Sequence, residues 1–233
     1  MQTRKINEDS MKLKSVLSVA VALVVASMFI ACRNDSYEKG EGEYSLMRAD
    51  FAELTIDSQK QVSAFITDDG DAYTLTTPYT AQWIETADTT YRAIIYYNKV
   101  EGGRAEPVAV GTVPTLAPTE HWRFNELPQD PIGFESIWMA RSGKYLNVGL
   151  LVKTGRVDDD EVPHLIGLAQ DTVLVHADQR RTAYYRLLHS QNDAPEYYTN
   201  RRYVSILLPQ DRPDTIRLSI NTFDGVIEKT IEI

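Results

Sequence analysis

From Tyr44 onward the chain carries a series of short runs in which apolar residues recur at every second position, bounded by turn-forming residues. A period of two sends alternate side chains to opposite faces of an extended strand, whereas a helix would repeat every 3.6 residues. The chain is therefore read as all-β. Alternation is clearest at Leu146, Val148, Leu150 and Val152, and again at Ile216, Leu218 and Ile220. A length of 233 residues suffices for one or two domains with a core of their own. With 43% hydrophobic and 24% charged residues, wholesale disorder is excluded.

The first strand, "EYSLMRADFAELTID", is long. Met47, Ala49 and Phe51 alternate on one side, and the apolar phase then moves to Leu54 and Ile56, which predicts a bulge or bend. "KQVSAFIT" and "DAYTLTT" follow, joined through Asp69-Gly70, a hairpin signal because glycine accepts positive φ. Residues 78–88, "PYTAQWIETAD", hold a short helix or a long loop. "TYRAIIYYNKV" and "AEPVAVGTV" then flank "EGGR", a second hairpin. Five strands with a long first member and an insert after the third predict an OB-like closed barrel over residues 44–114, an SH3-like barrel being the rival. Residues 115–131, with three prolines and no periodicity, are read as a linker. Residues 132–233 carry seven further strand candidates, from "GFESIWMA" to "VIEKTIEI", and predict a seven-stranded β-sandwich.

The N-terminus has a different logic. Lys12 and Lys14 precede 17 uncharged residues, 15–31, the parts of a secretory signal. The run is short of the roughly 20 residues of a spanning helix, although a single membrane anchor with Cys32 incidental is the rival reading. Glu8 and Asp9 are foreign to a signal's basic start, so translation is expected to begin at Met11. Phe29, Ile30, Ala31 and Cys32 resemble the bacterial lipobox, with Phe29 in place of the usual leucine. The resemblance implies cleavage after residue 31, diacylation of the Cys32 sulfur (palmitate-type chains) and acylation of the new N-terminus. Cys32 is the chain's one cysteine, so no internal disulfide or CxxC pair is possible. Two or three acyl chains anchor firmly where one does not. Residues 32–43, polar and glycine-bearing, then serve as a flexible tether.

The lipobox, the "DSYEKGEGEYSLMRADFAEL" entry to the first strand, the "DPIGFESIWMARSGKYLNVGLLVK" segment and "YYRLLHSQND" together resemble the NigD-like lipoproteins of Bacteroides-type bacteria. The resemblance spans essentially the whole mature chain. It implies an N-terminal OB-like domain, a C-terminal β-sandwich and a lipid-anchored place in the bacterial cell envelope, taken as the outer membrane. The family's name reflects a bacteriocin-associated gene context, and it supplies no catalytic residues.

The formal charge is −9; loss of residues 1–31 removes four basic and two acidic residues and leaves −11. Nucleic acid requires clustered Lys and Arg, so it is excluded as a partner. The pairs Arg180–Arg181 and Arg201–Arg202 are read as solvated loop or strand ends. No GxSxG, HExxH or close Cys/His spacing occurs, and His121, His164, His176 and His189 sit in separate segments, so no catalytic or metal residue and no cofactor is assigned. His189 is read as hydrogen-bonded beneath its strand. "VDDDEV", residues 157–162, and Asp68, Asp69 and Asp71 are read as hairpin tips in preference to weak cation sites. Aromatics in the first domain, above all Trp83, Tyr91 and Tyr97, could stack against a sugar, although most such rings pack in cores. The expectation is a non-catalytic, membrane-tethered module that binds an envelope protein. A carbohydrate-binding lipoprotein is the alternative, and a hydrolase with scattered residues comes third.

Overall fold

The computed structural model describes residues 46–157 and 160–233. Cys32, Phe29, Ile30, Ala31, the leader and the tether lie outside the described residues, as do Asp158 and Asp159. Among the described residues no helix is long and apolar enough to cross a membrane.

Strands β1 (Arg48–Ile56), β2 (Val62–Thr67), β3 (Ala72–Tyr79), β4 (Thr90–Val100) and β5 (Arg104–Thr112) form a closed barrel in the order β1-β2-β3-β5-β4. β1 pairs with both β2 and β4, and β3 meets β5 in parallel, so every strand has two neighbours and no edge remains. Ala52, Leu54 and Ile56 of β1, Val62 and Phe65 of β2, and Ile95 and Tyr97 of β4 fill the interior. Gly70 (φ +90°), Gly102 (φ +76°) and Gly103 (φ +69°) make the two hairpin turns at a backbone conformation that side-chain-bearing residues resist.

One expectation changes here, and one of two alternatives is chosen. The phase switch in β1 is not a bend, because Phe51 points away from the barrel and packs edge-on against Trp138 (5.4 Å) and Tyr203 (5.3 Å). Its outward face is apolar because a second domain covers it. The bulge in β1 falls later, between Thr55 and Ile56. The insert before β4 is a loop without a helix, and it delivers Ile84 to the barrel core.

Residues 115–131, expected as a linker, also supply β6 (Thr115–Leu116), β7 (Thr119–Glu120) and a 3-10 turn (His121–Arg123). All seven expected strands follow: β8 (Gly133–Met139), β9 (Tyr145–Thr154), and, after a two-rung hairpin β10 (Arg156–Val157) and β11 (Asp160–Glu161), β12 (Leu165–Val175), β13 (Arg181–Ser190), β14 (Tyr198–Leu207), β15 (Thr215–Thr222) and β16 (Gly225–Glu232). They form two sheets, β16-β15-β13-β12-β7 and β6-β14-β9-β8. β6 joins β14 and β7 joins β12, each in parallel and for two residues, so the stretch between domains becomes a short edge strand on both sheets.

The sandwich core takes Leu146, Val148, Leu150 and Val152 from β9, Tyr185 and Leu187 from β13, and Ile216, Leu218 and Ile220 from β15. β9 is covered on both faces. Its even-numbered residues face the core, while Tyr145, Asn147 and Gly149 face the barrel, so the strand reads as a near-continuous apolar run.

Candidate functional site

Three polar residues stand buried within apolar stretches of their strands: Arg92 in β4, Asn147 in β9 and Ser205 in β14. They meet. Arg92, 5% exposed, binds Asp68 of the β2–β3 turn through both guanidinium arms at 2.6 Å each. Its Nε donates to Ser205 Oγ (3.1 Å) and its Nη2 to Asn147 Oδ1 (3.1 Å). Asn147 Nδ2 donates to Asp68 Oδ2 (2.9 Å), and Ser205 donates to Asn147 Oδ1 (2.7 Å). The guanidinium lies over the Tyr145 ring at 4.1 Å. A buried charge needs this many partners, and the bidentate fork gives the pair a fixed direction.

The network continues through Glu53, which accepts from the Tyr145 hydroxyl (2.8 Å) and from Lys144 Nζ. Burial works to raise the Glu53 pKa, but the bonds from Lys144 and Tyr145 and the charges of Lys144 and Arg92 prevail and hold it below the usual carboxylate range. Burial, and then Glu53, push the Tyr145 phenol up. This array joins barrel strands to sandwich strands. Its side chains bond chiefly to one another and so tie the two sets of strands together.

The sequence-designated aromatics divide. Tyr97 is 0% exposed, with its ring against Phe65 (4.9 Å) and its hydroxyl on Asp50 (2.7 Å), and burial followed by that bond raises its pKa. A ring inside the barrel offers no face to a sugar, so the stacking role expected for Tyr97 is corrected; the exposed neighbour is Tyr96. Trp83 and Tyr91 are half-buried and meet edge to face at 5.5 Å. The Tyr91 hydroxyl also accepts the backbone N–H groups of Glu85 (3.3 Å) and Thr86 (3.2 Å), holding the loop on the barrel wall.

Asp68, expected as part of a solvated hairpin tip, instead carries the buried ion pair with Arg92. Asp71 sits 3.6 Å from Lys99, and Asp69 is 4.0 Å from Arg141. In the arginine pairs, Arg180 meets Glu232, Arg181 meets Asp211 and Arg201 meets Glu135. His189 is buried; its Nδ1 bonds to the Asp130 carbonyl (3.0 Å) and its Nε2 to His164 Nδ1 (2.9 Å). Among the described residues no three His, Cys, Asp or Glu side chains gather as a metal site would require.

The exposed apolar surface lies elsewhere. Val173, Leu174 and Val175, at the far end of β12, are 39%, 45% and 62% exposed. β7 pairs with β12 only at Ala169 and Gln170, and a bulge interrupts the strand between Gln170 and Thr172. Among the described residues the edge beyond is open. The 3-10 turn packs against the same strand and carries Trp122, 68% exposed. No sequence signal marked Trp122, because it lies in a stretch without periodicity.

Neither family models nor curated relatives match this chain. Solved structures do. A NigD-like immunity protein from Bacteroides caccae superposes with a TM-score of 0.59 at 23% identity, covering 78% of this chain and 91% of that one. A candidate toxin-related protein from Parabacteroides distasonis gives 0.59 at 16% identity over 80% and 93%. A candidate lipoprotein from Bacteroides fragilis gives 0.59 at 14% identity over 80% and 97%. At these identities the likeness is one of fold, and the chain shares the barrel-and-sandwich fold of a NigD-like protein and of a candidate Bacteroides lipoprotein.

Proposed function

We propose that the protein is a lipid-anchored, non-catalytic module of the bacterial cell envelope, tethered to the outer membrane through acylated Cys32, whose β-domains present a binding surface to another envelope protein. The reading rests on one observation, the open edge of β12 past Asp171, with Val173, Leu174 and Val175 exposed beside the turn that carries Trp122. A bare strand edge of this kind invites pairing, and a protein ordinarily blunts it with charge or proline. Exposed tryptophan beside aliphatic side chains is the composition of an interface anchor. The lipobox and the candidate lipoprotein among the fold neighbours support the envelope placement.

In-cell cross-linking of the tagged, lipidated protein tests it. One envelope protein should be recovered near stoichiometry from the native chain and lost when Trp122→Ser and Leu174→Lys are combined. Equal recovery from native and variant chains would place the partner surface elsewhere and sink this assignment. A second reading, carbohydrate binding on the barrel, is favoured by the Trp83–Tyr91 pair. It requires tryptophan fluorescence to respond to a glycan, and to stop responding in Trp83→Phe.

A further inference from the structure

The hydrogen-bonding direction of β12 at its open end follows from its neighbour β13. Val175 stands opposite Arg181, and Arg181 turns both backbone groups away, its N–H to the Asp214 carboxylate (2.7 Å) and its C=O to the Asp214 N–H (2.9 Å). The Val175–Arg181 rung therefore carries no hydrogen bond. The position beyond it does, since the His176 N–H donates to the Arg180 carbonyl (2.8 Å). Rungs of an antiparallel pair alternate in this way, so Leu174–Thr182 is bonded and Val173–Ala183 is not. The N–H and C=O of both Val173 and Val175 thus point to the open edge, and among the described residues no strand pairs with them.

Two donors and two acceptors in a row, about 7 Å from one valine to the next, are a pattern that another extended backbone matches. The chain already uses this edge so: β7 lies on it in parallel at Ala169 and Gln170. The positions past the bulge continue the same template beyond the rungs that β7 fills. Side chains add to it. Val173 lies opposite Ala183 of the sandwich core, so Val173 and Val175 share the inner face of their sheet, yet they are 39% and 62% exposed. An added strand lays every second side chain beside them. The outermost strand on the opposite side of the sheet, β16, is defended by Glu228, Lys229 and Glu232, whereas Thr172, Val173, Leu174 and Val175 bring neither charge nor proline.

We propose that residues 172–175 of β12 bind an extended segment of the envelope partner as an added strand, through the backbone of Val173 and Val175, with apolar residues of the segment alternating onto the inner face. The proposal rests on the protein-binding reading above and fixes the form of the partner.

The test uses the lipidated mature chain in nanodiscs, with empty nanodiscs as the background. The probe is a fluorescein-labelled peptide that alternates valine with lysine and threonine, followed by anisotropy. Two isomers accompany it, one N-methylated at the valines and one at the residues between. Alternate amides of an extended peptide face opposite edges, so one isomer should lose about tenfold in affinity and the other should keep it. Val175→Pro deletes one outward N–H and no bond of the β13 ladder, and Val173→Lys puts a charge on the inner face. Each should weaken the parent peptide about tenfold. Folding of each variant is read from its near-ultraviolet circular dichroism, and either variant alone decides the matter if the other fails to fold. Parent binding no greater than to empty nanodiscs, isomers that bind alike, or binding indifferent to the folded variants would overturn strand addition. These outcomes leave the protein-binding surface standing where cross-linking still depends on Trp122 and Leu174. A cross-linked partner indifferent to Trp122→Ser with Leu174→Lys would take the envelope partner off this edge, and the proposal with it, whatever the peptide does. Recovery of a second, differently tagged copy of the chain as the cross-linked species would give the edge to a dimer and overturn the proposal as well.

Discussion

Arg92 and Asp68 show how one residue type changes meaning with its surroundings. Arg92 is side-chain buried to 2% while Asp68 keeps 18% of its side chain in solvent, so the pair is desolvated on one side only. Removing the cation leaves a carboxylate and two amide-and-hydroxyl partners short of a donor, a loss near the low end of the range for broken buried pairs. Arg92→Met is expected to lower unfolding free energy by about 3 kcal/mol in urea titration. Adding Asp68→Leu should recover part of that loss, because Asn147 and Ser205 still bond each other. A double variant as unstable as Arg92→Met alone would mean that the carboxylate is not the group left stranded. Glu53 makes a pH-dependent case. Its folded pKa is depressed, so its contribution is full above the unfolded value of 4.5 and is lost as pH falls through the lower folded value. The native chain should therefore lose melting temperature more steeply below pH 4.5 than Glu53→Gln does. Parallel slopes would remove Glu53 from the acid response.

At the scale of elements, the strands were legible in the sequence because a period of two survives wherever one face is buried. The turns at Gly70 and Gly102 were legible because their backbone requires glycine. What could not be read was anything set by pairing across long separations. "TYRAIIYY" displays an arginine out of place, but its partner Ser205 stands 113 residues away. Tyr96 and Tyr97 had to face opposite ways, yet only the closed barrel register decides which is inside. Phe51 broke the alternation of β1 for a reason located in β8 and β14. Gly149 is a similar case in β9: a Cβ there would come within 2.5 Å of Ser136 Oγ and 3.3 Å of the Tyr203 ring. Gly149→Ala should cost about 1–3 kcal/mol by overpacking against the flanking strands β8 and β14, and Ser136→Gly should restore most of it. A neutral Gly149→Ala would show that the packing of β8 and β14 side chains over β9 has slack.

For the whole molecule, the question is whether barrel and sandwich behave as one folding unit. Interfaces between domains of one chain are commonly polar and loose, and independent motion is then the default. Here the described residues of barrel and sandwich cluster as a single compact unit. The contact between its two parts combines a buried bidentate ion pair with the Phe51, Trp138 and Tyr203 rings. The edge strands β6 and β7 also run directly from the end of the barrel into both sheets, so unfolding the sandwich would free the barrel's exit. Coupling of this kind predicts one calorimetric transition for the barrel and sandwich together, with calorimetric and van't Hoff enthalpies equal. Combining Arg92→Ala with Phe51→Ala removes the charge and the ring that reach across, and should split the trace into two transitions while leaving both strand sets folded at low temperature. Two transitions in the native chain would mean that the joint adds no cooperativity; a surface on β12 would then be presented by a sandwich free to reorient on the barrel.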